Sequence, residues 1–253
     1  MSDWNPGAYA RFRGLRLRPA LDLLAQVGTP VAGEIVDLGC GDGAVAAALR
    51  ARFDGRVLVG VDASAAMLER ARGYDRLQAT DLAAWRPSAP PGLIFSNAAL
   101  HWLPDHAALL PRLARFLPAG GVLAVQMPRQ HDAPSHRLLR LFAAEMFPDR
   151  FDFSGWQPPV LAAPEYMRLL AALGRLDVWE TEYMQRLDAA TEAHPVRRFT
   201  ESTVMRPYAA KLNPGEYVAF VARYEAALSA AYPAEADGSV LFPFRRLFFT
   251  LTV

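Results

Sequence analysis

Three glycines at alternate positions, Gly39, Gly41 and Gly43, follow directly on the apolar run Glu34-Ile35-Val36-Asp37-Leu38. Asp37 stands just before this loop and Asp42 within it. Such a loop lets backbone approach a ligand where side chains would obstruct. Its charges decide what kind of ligand. Two carboxylates repel a pyrophosphate but attract the amino group and positive charge of an aminoacyl-like molecule. The dinucleotide fingerprint is different: its second and third glycines are three apart, and the pyrophosphate sits on the helix N-terminus.

Further polar residues close the later apolar runs. Asp62 ends the run from Arg56, about twenty residues after the loop, where a carboxylate can accept from both hydroxyls of a ribose. The other reading is a surface helix cap. Ala63 adjoins it, and Met67 could pack on an adenine or simply fill a helix face. Asp81 could accept from an adenine amino group, with the backbone of Leu82 beside the ring, or serve only a turn. Asn97, through its backbone carbonyl, and Ala98 follow the next apolar run, where His101 and Trp102 could face a substrate or cap an adenosine. Packing alone is the other reading of Trp102. Together the acidic bracket and the glycine spacing favour S-adenosylmethionine over NAD.

These residues need strand tips to hold them. Apolar strands are expected at 34–38, 56–62, 76–79, 93–97 and 122–127, with helices over 16–28, 43–52, 64–73 and 107–117. Leu17, Ala20, Leu21, Leu24 and Val27 set the first helical stripe, and Ser64 is a plausible N-cap. Strands separated by helices of this length imply a parallel, doubly wound sheet. After Pro128 the pattern changes: 129–159 has no clean period, 164–173 is helical, 177–187 alternates, 189–232 is mainly helical and 244–253 is β-prone. The expected organisation is an N-terminal helical lid over 1–30, an α/β core over 31–128, and the rest of the sheet plus a helical substrate cap over 129–253.

Composition narrows the class. The 253 residues are 52% hydrophobic and 21% charged, with a net charge of +1. That suits a packed core and argues against nucleic acid as a partner. Cys40 is the sole cysteine, so no internal disulfide can form, and it reads as a small residue in a tight loop rather than a reactive thiol. No apolar run reaches the roughly 20 residues that span a bilayer, and no secretory signal is visible. A cytoplasmic protein without a membrane partner or a metal site is expected. Its oligomeric state is left open.

The assembled residues resemble class I S-adenosylmethionine-dependent methyltransferases, and within them the trans-aconitate 2-methyltransferase family. The resemblance rests on Ser2-Asp3-Trp4-Asn5-Pro6, Tyr9, Phe12, Arg16 and Arg18-Pro19-Ala20, on Val36 to Gly41, and on Asn97 to Asp105. Gln126-Met127-Pro128, Arg206-Pro207 and the stretch 242–248 continue it. It differs at His101, where Gln is common, at Gly41-Asp42-Gly43 in place of Gly-Pro-Gly, at 129–131 and in 191–212. It implies a Rossmann-like class I methyltransferase fold: a seven-stranded, mostly parallel sheet flanked by helices, with a cap from the N- and C-terminal segments.

The resemblance also implies methyl transfer from S-adenosylmethionine to a carboxylate of a small tricarboxylate, giving the monomethyl ester and S-adenosylhomocysteine. A carboxylate is already ionised at neutral pH, so no catalytic acid or base is expected. Positioning should dominate. The other carboxylates call for arginine forks: Arg206, Arg245 and Arg246 first, then Arg11, Arg16, Arg129 and Tyr183. Trp4, Asn5 and Tyr9 are expected in the lid over the cofactor. The alternatives are a carboxyl methyltransferase for another small or acyl-carrier-bound acid, an NAD-dependent oxidoreductase, and a non-catalytic ligand-binding module.

Overall fold

The computed structural model describes residues 13–201 and 203–253. Trp4, Asn5, Tyr9 and Arg11 lie outside the described residues. Helix α1 (Arg13–Gln26) buries Ala20, Leu23 and Leu24, with Val27 just beyond its end. Leu21, expected on that stripe, is exposed.

Strands β1 (Glu34–Leu38), β2 (Leu58–Asp62), β3 (Arg76–Ala79), β4 (Pro91–Asn97) and β5 (Val122–Pro128) pair with one another in parallel. With β6 (Arg175–Leu187) and β7 (Val240–Thr252), the described residues form a seven-stranded sheet in the order β3-β2-β1-β4-β5-β7-β6. β7 runs antiparallel to β5. The order reverses between β1 and β4, so the carboxyl ends of β1, β2 and β4 surround the crevice where ligands bind in such sheets. β4 and β5 are buried at six consecutive positions, as strands covered on both faces must be.

Helices α2 (Ala46–Arg52), α3 (Ala65–Leu68) and α4 (His106–Ala114) lie in the crossovers. α3 is shorter than the expected 64–73. Gly43 has φ +84°, and a Cβ there would meet the backbone N and O of Arg72 at 3.1 Å. The chain thus leaves the helix and turns against the glycine loop. Ser64 is the N-cap, its side chain accepting from Met67 N at 3.4 Å.

The chain divides into two compact units, and β6 and β7 each pass from one into the other. Unit 1 comprises the described residues up to Pro128 with Pro159–Thr181 and Arg246–Val253. It includes α6 (Ala163–Leu170) and a core of Val36, Leu38, Val59, Ile94, Leu123 and Val125. Unit 2 comprises Arg129–Pro158 and Glu182–Arg245. It carries α5 (Pro134–Met146), α7 (Pro195–Glu201), α8 (Arg206–Ala209) and α9 (Pro214–Ala231). α5 falls where no period is visible in the sequence. Its buried stripe is Ser135, Leu139, Phe142 and Ala143, and the polar first member conceals the helical spacing. β7 begins at Val240, four residues before the expected start. No helix among the described residues is long and apolar enough to cross a membrane.

Candidate active site

The glycine loop is fastened to β2. Gly39 N and Cys40 N both donate to Val61 O, at 2.8 and 3.0 Å. Gly39 has φ +87°, and a Cβ on it would stand 2.1 Å from Ala99 Cβ. Glycine is thus demanded twice, by conformation and by space. Gly41 N donates to Asp62 Oδ2 and Ser64 N to Asp62 Oδ1, each at 2.9 Å. Asp62 is therefore more than a helix cap, since it joins the loop to the tip of β2. A carboxylate offers about four lone-pair sites, so it can still accept from hydroxyls of a ligand. Ala63 beside it is exposed. Buried Met67 brings its Cε within 3.3 Å of where a Cβ of Gly41 would stand.

Asp37 is buried, and its Oδ2 accepts from the Tyr74 hydroxyl at 2.6 Å. Burial pushes its carboxyl up to about 7; the Tyr74 hydrogen bond opposes the shift and the negative charge of Asp62 adds to it. Burial and Asp37 together raise the Tyr74 phenol, so Tyr74 keeps its proton and is the donor. Half the acidic bracket is thus poised near neutrality. A cation bound beside it favours the ionised form. Burial, reinforced by Asp37 and Asp62, raises the Cys40 thiol well above its ordinary value. That leaves it protonated and inert, in agreement with a packing role.

Asp81 is exposed and accepts from Ala83 N at 2.9 Å, which makes a tight Asx turn. Leu82 is buried against Gly39. Arg112 of α4 pins this turn, donating to Trp85 O at 2.9 Å, Ala83 O at 2.8 Å and Leu82 O at 3.4 Å. Neither Tyr74 nor Arg112 is signalled locally in the sequence.

At the tip of β4, Asn97 pairs in register with Gln126 of β5. Asn97 Oδ1 is buried without a hydrogen-bond partner. Ala98 has φ +52°, and its N donates to Gln126 O at 2.9 Å. A left-handed alanine costs about 1 kcal/mol or more and is typical of functional turns. The following 3₁₀ turn, Leu100–Trp102, buries Leu100 completely. The His101 and Trp102 rings lie 4.7 Å apart, and Trp102 is 57% exposed. Leu100 thus packs into the core, while Trp102 keeps more than half of its surface exposed. His106 holds this turn: its Nε2 donates to Leu100 O at 3.0 Å and its Nδ1 accepts from Tyr166 Oη at 2.5 Å. The tautomer follows because a carbonyl only accepts. Burial lowers the His106 pKa, so the ring stays neutral.

The expected substrate residues are shared between the units. His101 and Arg246 belong to unit 1; Tyr183, Arg206 and Arg245 belong to unit 2. Arg246 is only 3% exposed and donates through Nη1 to Gln126 Oε1 at 3.2 Å. Arg245 is half exposed and paired with Glu182 at 3.5 Å. Arg206 opens α8, half-buried, and Tyr183 is buried in β6.

Residues 9–174 match a family model described as a methyltransferase domain. The chain is 46% identical to the trans-aconitate 2-methyltransferase of Azoarcus sp. (strain BH72), over 98% of each chain. It is 44% identical to the enzyme of that name from Methylobacterium nodulans, over 98% of this chain and 97% of the other. Among solved structures it is similar to phosphoethanolamine N-methyltransferase 2 of Haemonchus contortus in complex with S-adenosyl-L-methionine, with a TM-score of 0.53 and 17% identity. That match covers 93% of this chain and only about half, 52%, of the longer one. At this identity it bears on the fold alone.

Proposed function

Because the chain belongs to the trans-aconitate 2-methyltransferase family, we propose that it transfers a methyl group from S-adenosylmethionine to one carboxylate of trans-aconitate. The products are the monomethyl ester and S-adenosylhomocysteine. The crevice fits such a donor. It has a backbone cradle that a Cβ on Gly39 would fill, a carboxylate at the tip of β2, and an orphaned buried amide oxygen on Asn97. When bound, the donor supplies a methyl group on a sulfonium, open to direct attack by a carboxylate oxygen.

The residues then have distinct tasks. Asp62, with Ala63, accepts from the ribose hydroxyls. Gly39 and Gly41 let backbone close on the aminoacyl end, and Asp37 meets its positive charge. Asp81, Leu82 and Met67 flank the adenine, while Asn97, Ala98 and Trp102 border the reacting end. Trp4 and Tyr9 serve the cofactor. His101 and Arg246 of unit 1 serve the substrate.

The reaction needs no proton transfer, because the attacking carboxylate is already ionised. An O–CH₃ bond forms as the S–CH₃ bond breaks, and the positive and negative charges cancel. Strong donors on the attacking oxygen would stabilise the ground state more than the transition state and so slow the step. Cationic groups should therefore grip the carboxylates that do not react. The buried Arg246 guanidinium carries this reading, because a fork withdrawn from solvent suits a carboxylate taken out of water. The experiment is incubation of the purified protein with labelled S-adenosylmethionine and a panel of di- and tricarboxylates, with products identified by mass. A trans-aconitate monomethyl ester is expected. Label only in another small acid, or only in a hydroxyl or amine, overturns the assignment.

A further inference from the structure

Gln126 sits at the carboxyl end of β5, between Asn97 of β4 and Phe248 of β7 in register, and none of its surface is exposed. Its Oε1 accepts from Arg246 Nη1 at 3.2 Å. A guanidinium only donates, so this contact settles which end of the amide is oxygen. The other end, Nε2, is therefore a buried NH₂ group, and it has no hydrogen-bond partner. A buried donor without a partner is costly, and native interiors rarely leave one so. Register partners point to one face of the sheet, so this NH₂, the Asn97 side chain and the Arg246 guanidinium share the face at the strand ends.

A group that satisfies Nε2 must present an acceptor atom, and one lying against a guanidinium gains by carrying negative charge. A carboxylate does both. We propose that Gln126 is a substrate-binding residue: its Nε2 donates to an oxygen of the carboxylate that Arg246 holds, and its Oε1 sets the plane of the guanidinium. This rests on the trans-aconitate reading and adds a residue to it. Asn97 Oδ1 needs a donor, which an ionised carboxylate lacks, so its partner is a different ligand group.

Gln126→Glu tests this, because it keeps an oxygen toward Arg246 but replaces the donor with a negative acceptor. With S-adenosylhomocysteine present, calorimetry should show trans-aconitate binding weakened about 30-fold or more, since a like charge faces the substrate. In turnover, KM should rise by far more than kcat falls, and S-adenosylhomocysteine affinity should stay within about twofold, a split that general loosening of the strand ends would not give. Trans-aconitate binding within about threefold of the wild type overturns the assignment. The wild type supplies a second measurement that needs no variant to fold. The Gln126 side-chain NH₂ resonances should shift when trans-aconitate is added to the S-adenosylhomocysteine complex. Resonances that stay put mean that no ligand group reaches Nε2, and the inference fails. If the wild type makes no trans-aconitate ester, the reading beneath it is what has failed.

Discussion

In unit 1 the strand interiors are filled by Val36, Leu38, Val59, Val61, Ile94 and Leu123, and backbone polar groups are satisfied along parallel ladders. Unit 2 is centred instead on rings. Phe242 lies 5.3 Å from Phe199, 5.4 Å from Tyr232 and 5.7 Å from Phe244, all edge-on. There the start of α5 is satisfied by side chains. The Tyr224 hydroxyl donates to Ser135 O at 2.7 Å, and Tyr232 Oη accepts from Ser135 N at 3.2 Å. The difference bears on function. A parallel ladder leaves a strand tip little room to shift, because each residue is tied to a register partner. Aromatic packing with hydroxyl tethers can be reshaped residue by residue and tolerates adjustment better.

The largest effect is expected where the ladder leaves no slack. Gly39→Ala places a Cβ 2.1 Å from Ala99 Cβ at φ +87°. Strain and overpacking together should cost on the order of 3 kcal/mol in stability. S-adenosylhomocysteine binding, followed by calorimetry, should fall at least 100-fold, since an ångström-scale shift at a positioned site costs about two orders of magnitude. Retention of wild-type affinity would mean the loop tips are as adaptable as unit 2.

Next comes Asp37, the buried acid of the rigid unit. Its folded value of about 7 exceeds that of an unfolded chain. Between the two values the unfolded chain has lost this proton while the folded chain keeps it. The contribution of Asp37 to stability therefore falls as pH rises through that window, and the loss is complete above the folded value. Asp37→Asn retains an acceptor for Tyr74 and removes the titration. Its stability relative to the wild type, from denaturant melts, should increase from pH 5 to pH 8 by on the order of 3 kcal/mol. A pH-independent difference would mean that Asp37 is ionised throughout.

These two positions also show what the sequence makes legible. Gly39, Asp37 and Asp62 are visible because each interrupts or ends a β-branched run. The parallel sheet was readable for the same reason. Asp37's partner was not, because Tyr74 lies 37 residues away in a turn without periodicity. Arg112 on the 82–85 turn, Tyr166 on His106 and Arg246 on Gln126 are further contacts of this kind, the last spanning 120 residues. Such pairs leave no local trace in either member. In unit 2, α5 was hidden because Ser135 takes a core position that an apolar residue would have advertised, and Pro243 disguised the first residues of β7.

A smaller effect distinguishes the units. Tyr224→Phe removes the hydroxyl that donates to Ser135 O and should cost about 1 kcal/mol by thermal or denaturant melting. S-adenosylhomocysteine affinity should stay within about twofold, because the bonds that fasten the glycine loop all lie within unit 1. A large loss of cofactor binding would mean that the aromatic unit also sets the loop geometry, and the contrast would fail.

The smallest effect is expected at the neighbouring arginines of β7. Arg245 and Glu182 leave 50% and 48% of their side-chain surfaces exposed, and such pairs contribute between about 0 and 1 kcal/mol. Arg245→Ala should therefore scarcely move the melting curve. In kinetics it should change KM for trans-aconitate less than about threefold, whereas Arg246→Ala should raise it more than about tenfold, the equivalent of a lost charge-assisted hydrogen bond. Solvent separates the two arginines. A guanidinium in water must give up hydration to take a carboxylate, while one already 3% exposed has given it up on folding. Equal effects at the two positions would show that burial is the wrong criterion, and would restore Arg245 as an equal partner in substrate binding.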